Sequence, residues 1–109
     1  MLPRPNPLSE SDLRTVLESA RKSKEGILYG SKLFDKLKGH GITILDLLHV
    51  CQNWEVLREA RWTHQEWRYR IEGPHIDGKW MAVVLSIKDD STKVVAITAF
   101  RFARGKKIR

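Results

Sequence analysis

The sequence predicts an α+β domain in which N-terminal helices pack on a four-stranded antiparallel sheet. Three observations carry that reading. Apolar residues recur at helical spacing up to about residue 53, alternation takes over from Glu55, and turn signals divide the alternating runs. A length of 109 residues fits one domain with a small core. With 41% hydrophobic and 30% charged residues, the composition is that of a globular chain rather than a disordered one.

Residues 1–8, with Pro3, Pro5 and Pro7, read as an extended leader to a single domain over 9–102. Ser9 opens a helix over 9–24, Asp12 stands at the capping-box position, and Leu13, Val16, Leu17 and Ala20 form its buried stripe. Ile27-Leu28-Tyr29, bracketed by Gly26 and Gly30, predicts a short strand or an extended link. Ser31 caps a second helix to about Lys38, where Gly39-His40-Gly41 breaks it. Thr43 and Asp46 cap a third helix through Cys51, packed by Ile44, Leu47, Leu48 and Cys51. Strands follow over 55–62, 67–73, 80–88 and 93–102, with turns at Thr63-His64-Gln65, at 74–78 around Asp77-Gly78, and at Asp89-Asp90-Ser91. Trp67, Tyr69 and Ile71 alternate with Arg68, Arg70 and Glu72, so one face of that strand is buried and the other polar. Met81 to Leu85 is apolar on both faces, as a central strand is. Residues 103–109 form a basic tail.

Several classes of function are excluded or disfavoured. The longest apolar run, Trp80 to Leu85, is far short of the roughly 20 residues a membrane helix needs. The N-terminus has no apolar signal core, so a soluble cytoplasmic protein is expected. The single cysteine, Cys51, rules out an internal disulfide and reads as a small buried hydrophobe. There is no Gly-rich phosphate loop, HExxH, GxSxG or CxxC. His40, His49, His64 and His75 show no metal-ligand spacing in an acidic setting and read as surface histidines, so neither metal nor cofactor is expected.

What remains is basic. Twenty Lys and Arg against thirteen Asp and Glu leave a net charge of +7, which favours a polyanion or an acidic protein as partner. Lys32 and Lys36 lie four apart on the second helix with His40 four further on, while Leu33, Phe34 and Leu37 take the packing side. Arg68 and Arg70 project together from one strand. Glu59, Glu66 and Glu72 are close in sequence, so an ion-pair ladder accounts for them as readily as an anion site. Arg101, Arg104, Lys106, Lys107 and Arg109 follow the last acidic residue, Asp90. Trp54, Trp62, Trp67 and Trp80 lie in one stretch with Tyr69, where they serve either as core and interface anchors or as platforms for bases. Lys, Arg, His and Tyr together are sufficient for metal-free RNA cleavage. That reaction takes a proton from the 2′-hydroxyl, stabilises a charged phosphorane and protonates the leaving 5′-oxygen.

Local motifs over roughly residues 27–102 resemble the RelE-like toxin superfamily, nearest its BrnT-like branch and related small domains. The likeness rests on Ile27-Leu28-Tyr29 before a basic helix and on His40-Gly41-Ile42-Thr43 with Asp46 and Leu47. It continues with Trp67-Arg68-Tyr69-Arg70-Ile71-Glu72-Gly73, Asp77-Gly78-Lys79 and Val94 to Phe100. Where relatives carry a histidine at the start of the basic helix, this chain has Lys32. The resemblance implies a bacterial type II toxin, a metal-free endoribonuclease acting on messenger RNA, free or on the ribosome. It would be silenced by a cognate acidic or DNA-binding antitoxin. Mapped by position, it implies catalytic Lys32, Lys36, His40, Arg68 and Arg70, with Arg101, Arg104, Lys106 and Lys107 binding nucleic acid. The alternative is a non-catalytic protein of the same fold that binds nucleic acid or inhibits DNA gyrase.

Overall fold

Helices and strands form where the apolar period predicts them, in a computed structural model that describes residues 6–23, 26–75, 79–87 and 93–102. Helix α1 (Glu10–Lys22) begins at Ser9, whose Oγ accepts from the Asp12 amide at 3.1 Å, and buries Leu13, Leu17 and Ala20. After the two-residue strand β1 (Leu28–Tyr29) come α2 (Leu33–His40) and α3 (Ile44–Asn53). Both halves of the α3 capping box are made: the Thr43 amide donates to Asp46 Oδ2 at 2.9 Å, and the Asp46 amide to Thr43 Oγ1 at 3.2 Å.

Helix α2 departs from expectation at both ends. Ser31 is not its cap; Lys32 precedes the first turn and makes no side-chain cap bond. The helix passes through Gly39 and stops only at Gly41, whose φ of 66° lies in the left-handed region that glycine reaches without strain. The Ile42 amide donates to Leu37 O at 2.9 Å and the Gly41 amide to Lys38 O at 3.2 Å. These are the two bonds of a Schellman closure, sealed by the buried pair Leu37 and Ile42. Phe34 lies off the packing stripe, 55% exposed, its ring edge-on to Tyr29 at 5.7 Å.

The sheet among the described residues has six strands and is mixed, where four antiparallel strands were expected. To β1 are added β2 (Val56–Leu57), β3 (Arg61–Thr63), β4 (Glu66–Pro74), β5 (Trp80–Ile87) and β6 (Val94–Phe102). Their order is β1-β6-β5-β4-β2, with β3 also pairing β4. Two causes produce the difference. Strand β1 docks parallel to β6, Leu28 opposite Val95 and Tyr29 opposite Ala96. The strand expected over 55–62 divides into β2 and β3, which pair separate halves of β4: the Arg58 amide still donates to Arg70 O at 2.9 Å, and the register then slips by one residue before Arg61 meets Arg68.

All three helices pack on one face of the sheet. There Tyr69, Ile71, Met81, Val83, Leu85, Val94, Ala96 and Ala99 join Leu13, Leu33, Leu37, Leu47 and Val50 in one core. A β-bulge sets which side chains of β6 enter it. Val84 pairs with Thr98 but Leu85 with Ala96, leaving Ile97 as an extra residue. Before the bulge the even-numbered Val94 and Ala96 face the helices; after it the odd-numbered Ala99 and Arg101 do. Phe100 and Phe102 are thereby turned to the opposite, open face. The chain ahead of α1 is tied down where the Leu8 amide donates to the buried Tyr69 Oη at 2.9 Å. The turns expected at Asp77-Gly78 and Asp89-Asp90-Ser91, residues 1–5 of the leader and the tail from 103 lie outside the described residues. Among the described residues, no helix is long and apolar enough to cross a membrane.

Two backbone constraints yield predictions. A Cβ at Gly73 would sit 2.8 Å from Trp54 Cα and 3.2 Å from Asn53 O, where the end of α3 meets β4. Gly73→Ala is expected to cost about 1–3 kcal/mol, read as a lower midpoint in urea, and an unchanged midpoint contradicts this contact. The two-residue turn between β3 and β4 places His64 and Gln65 at φ of 51° and 63°. The double change His64→Asn, Gln65→Gly supplies the residues such a turn prefers and is expected to raise stability by roughly 0.5–2 kcal/mol, read as a higher midpoint in the same assay.

Candidate nucleic-acid interface

Strand alternation puts Arg68, Arg70 and Glu72 on the open face, because Tyr69 and Ile71 between them enter the core. Cross-strand register extends each of these into a row. Glu72 lies opposite Ala82, and Ala82 opposite Phe100; Arg70 leads to Val84 and Thr98; Arg68 to Ser86 and Val95. Pro74, Trp80 and Phe102 make the last row. Ser86 is fully buried, and its hydroxyl has no hydrogen-bond partner among the described residues.

The open face is organised by the Glu72 carboxylate, which is 1% exposed. Arg58 grips it with both arms of its fork, Nε donating to Oε2 at 2.9 Å and Nη2 to Oε1 at 2.9 Å. Arg70 Nε donates to Oε2 from the other side at 2.7 Å. Burial pushes the carboxyl up, but the bonds and charges of Arg58 and Arg70 outweigh it, so Glu72 titrates below the usual carboxylate range. Two guanidiniums on one carboxylate leave a positive charge on this face. Arg70 also stands over a ring shelf, its Cζ 4.8 Å from the centre of Phe100 and 5.8 Å from that of Phe102. Phe100 and Phe102 are half-buried 6.3 Å apart, with the buried Trp80 edge-on to Phe102 behind them. Arg68 is paired along its own strand with Glu66 at 3.2 Å.

The other predicted cations lie on the far side of the sheet. Lys32, Lys36 and His40 are exposed along α2, which packs on β6 from the helix side. The structure therefore brings Arg68 and Arg70 together, and Lys32, Lys36 and His40 together, but keeps the two sets on opposite sides of a β-sheet. One phosphate cannot touch both. Arg101 follows the helix-side frame set by the bulge, and its Nη2 donates to the carbonyls of His40 at 2.6 Å and Gly41 at 3.4 Å. It neutralises the C-terminal end of α2. Arg104, Lys106 and Lys107 lie outside the described residues.

Two of the four histidines are not the surface residues expected. The His75 side chain is 8% exposed and its Nε2 lies 3.2 Å from Asp46 Oδ1, joining the end of β4 to the α3 cap. His49 is half-buried beside Asn53, whose Nδ2 donates to the His49 carbonyl at 2.9 Å. Cys51 is buried, and desolvation pushes its thiol up to about 12, so it stays protonated at neutral pH. Trp54 is buried beneath Arg14, whose Cζ lies 3.8 Å above its ring, whereas Trp62 and Trp67 are half-buried and meet edge to face at 5.2 Å. Sequence reasoning missed Arg58, Phe100 and Phe102. The alternation Phe100-Arg101-Phe102 was visible, but its facing depends on a bulge that no local motif announces.

No family model matches the chain, and no curated protein matches it.

The Glu72 arrangement has a pH signature. Because its folded value lies below the ordinary 4.5, its stabilisation is complete above that pH and is lost as pH falls below it. Asp46, lowered first by the Thr43 amide, adds a loss of the same sign below 3.8. Glu72→Gln is expected to lower stability at pH 7 by about 1–3 kcal/mol and to flatten the acid limb of a stability-against-pH curve. An unchanged acid limb contradicts the assignment.

Proposed function

We propose that this chain binds single-stranded RNA on the open face of its sheet, as a protein of the RelE-like toxin kind that holds RNA without cutting it. The observation that carries this reading is Arg70, fixed by a buried carboxylate and set over the rings of Phe100 and Phe102. A guanidinium pairs with phosphate, and a half-buried ring offers a base a stacking surface, so the two together suit an unpaired strand. The resemblance implies helices packed on a sheet with a cationic face, and here α1 to α3 precede the five strands β2 to β6. The net charge of +7 suits RNA and equally an acidic antitoxin competing for the same face.

Binding is favoured over cleavage by the geometry. Cleavage requires a proton acceptor beside the 2′-hydroxyl. Among the described residues, the open face brings to Arg70 only a carboxylate already held by two guanidiniums, while Lys32, Lys36 and His40 lie across the sheet.

Fluorescence anisotropy with a short unstructured RNA tests this. Arg70→Ala and Phe100→Leu are each expected to weaken binding about fivefold or more, on the scale of one lost stacking or phosphate contact, and Lys36→Ala to leave it within about twofold. Affinity should fall as salt rises. Loss in Lys36→Ala alone, or no binding by folded protein, overturns the reading. Discrete new RNA ends in the same mixture overturn the non-cleaving part.

A further inference from the structure

At the edge of the sheet, the segment between β2 and β3 has one residue more than the stretch of β4 it faces, and beside it lies a recess of about 540 Å³. Its walls are Arg58, Glu59, Ala60, Arg61, Trp62 and Trp67. We propose that this recess is a nucleotide pocket, receiving one base and its phosphate from the strand bound on the open face, with guanine preferred. The inference rests on the RNA-binding reading and adds to it a place where base identity is sensed.

Four features of the recess support this. Its volume falls in the range of small-ligand sites, about 300–1,000 Å³. Trp62 and Trp67 are directly opposed in the β3–β4 hairpin and project to the helix side, as Tyr69 and Ile71 do, but both are only half-buried, so a strand that turns round the β2–β3 edge from the open face meets indole surface there. Arg61 is exposed and makes no ion pair among the described residues, which leaves its fork for a phosphate. Arg58 links the recess to the open face, since only its Nε and Nη2 are committed to Glu72 and Nη1 remains.

Glu59 gives the recess its preference. An exposed carboxylate among arginines repels phosphate but accepts hydrogen bonds from the donor edge of a base. Guanine presents two adjacent N–H donors on that edge, adenine and cytosine a single amino group, and uracil a single ring N–H. The expected order is therefore GMP first, AMP and CMP next, and UMP last.

The test uses the full chain labelled with 5-fluorotryptophan, whose four fluorine signals are assigned by substitution, titrated with each of the four nucleoside monophosphates. GMP is expected to bind saturably and tightest, moving the Trp62 and Trp67 signals while Trp54 stays still. Arg61→Ala should weaken GMP about fivefold or more, and Glu59→Gln should abolish the preference for GMP over AMP; both changes are at exposed positions and leave the core intact. No saturable binding, or movement of Trp80 alone, overturns the pocket. The two readings fail separately. RNA binding that depends on Arg70 but is indifferent to Arg61→Ala, with no GMP binding, removes the pocket and keeps the open face. GMP binding through Trp62 with no RNA binding does the reverse.

Discussion

A carboxylate on the solvent side of a sheet, yet almost fully buried, is the constraint on which the rest of this face depends. Burying one ion costs several kcal/mol unless partners replace the lost water, and removing a partner leaves that cost uncompensated. Glu72 is served three times, by both arms of Arg58 and by Arg70. The arrangement binds the segment after β2 to β4 and limits where either guanidinium can go. Arg70 is held against Phe100 and Phe102 as a consequence, with its stem and head both positioned before any ligand arrives. A preorganised cation loses less freedom on binding than a free surface arginine does.

The second determinant is one extra residue in β6. Ile97 shifts the side-chain frame, so that a strand which starts by feeding the core with Val94 and Ala96 ends by feeding it with Ala99. The same shift sends Phe100 and Phe102 outward and Arg101 inward to the last carbonyls of α2. Helix closure, core packing and the ring shelf are thus tied to a single local irregularity. A bulge next to a binding surface commonly re-aims side chains in this way.

Much of this was legible in the sequence. Helix starts at Ser9 and Thr43 were readable because each hydroxyl accepts from the amide three residues on, with the reciprocal carboxylate bond made only by Asp46. The polar face of β4 was readable because Arg68, Arg70 and Glu72 alternate with Trp67, Tyr69 and Ile71. The parallel docking of β1 was not, since two residues carry no period. The split of β2 from β3 comes from a one-residue slip in register against β4, which has no local signal. The cationic candidates on α2 and β4 were each identified correctly as exposed or polar-facing positions. Their separation by the sheet follows from which face the helices cover, and that is decided by packing.

The most direct test of the central claim is a titration of ¹⁵N-labelled protein with unstructured RNA, followed amide by amide. The account predicts shifts concentrated at Arg68, Arg70, Glu72 and Thr98 to Phe102, with the amides of Lys32 to Lys38 left in place. Shifts concentrated on α2 instead, with β4 and β6 unmoved, would contradict it.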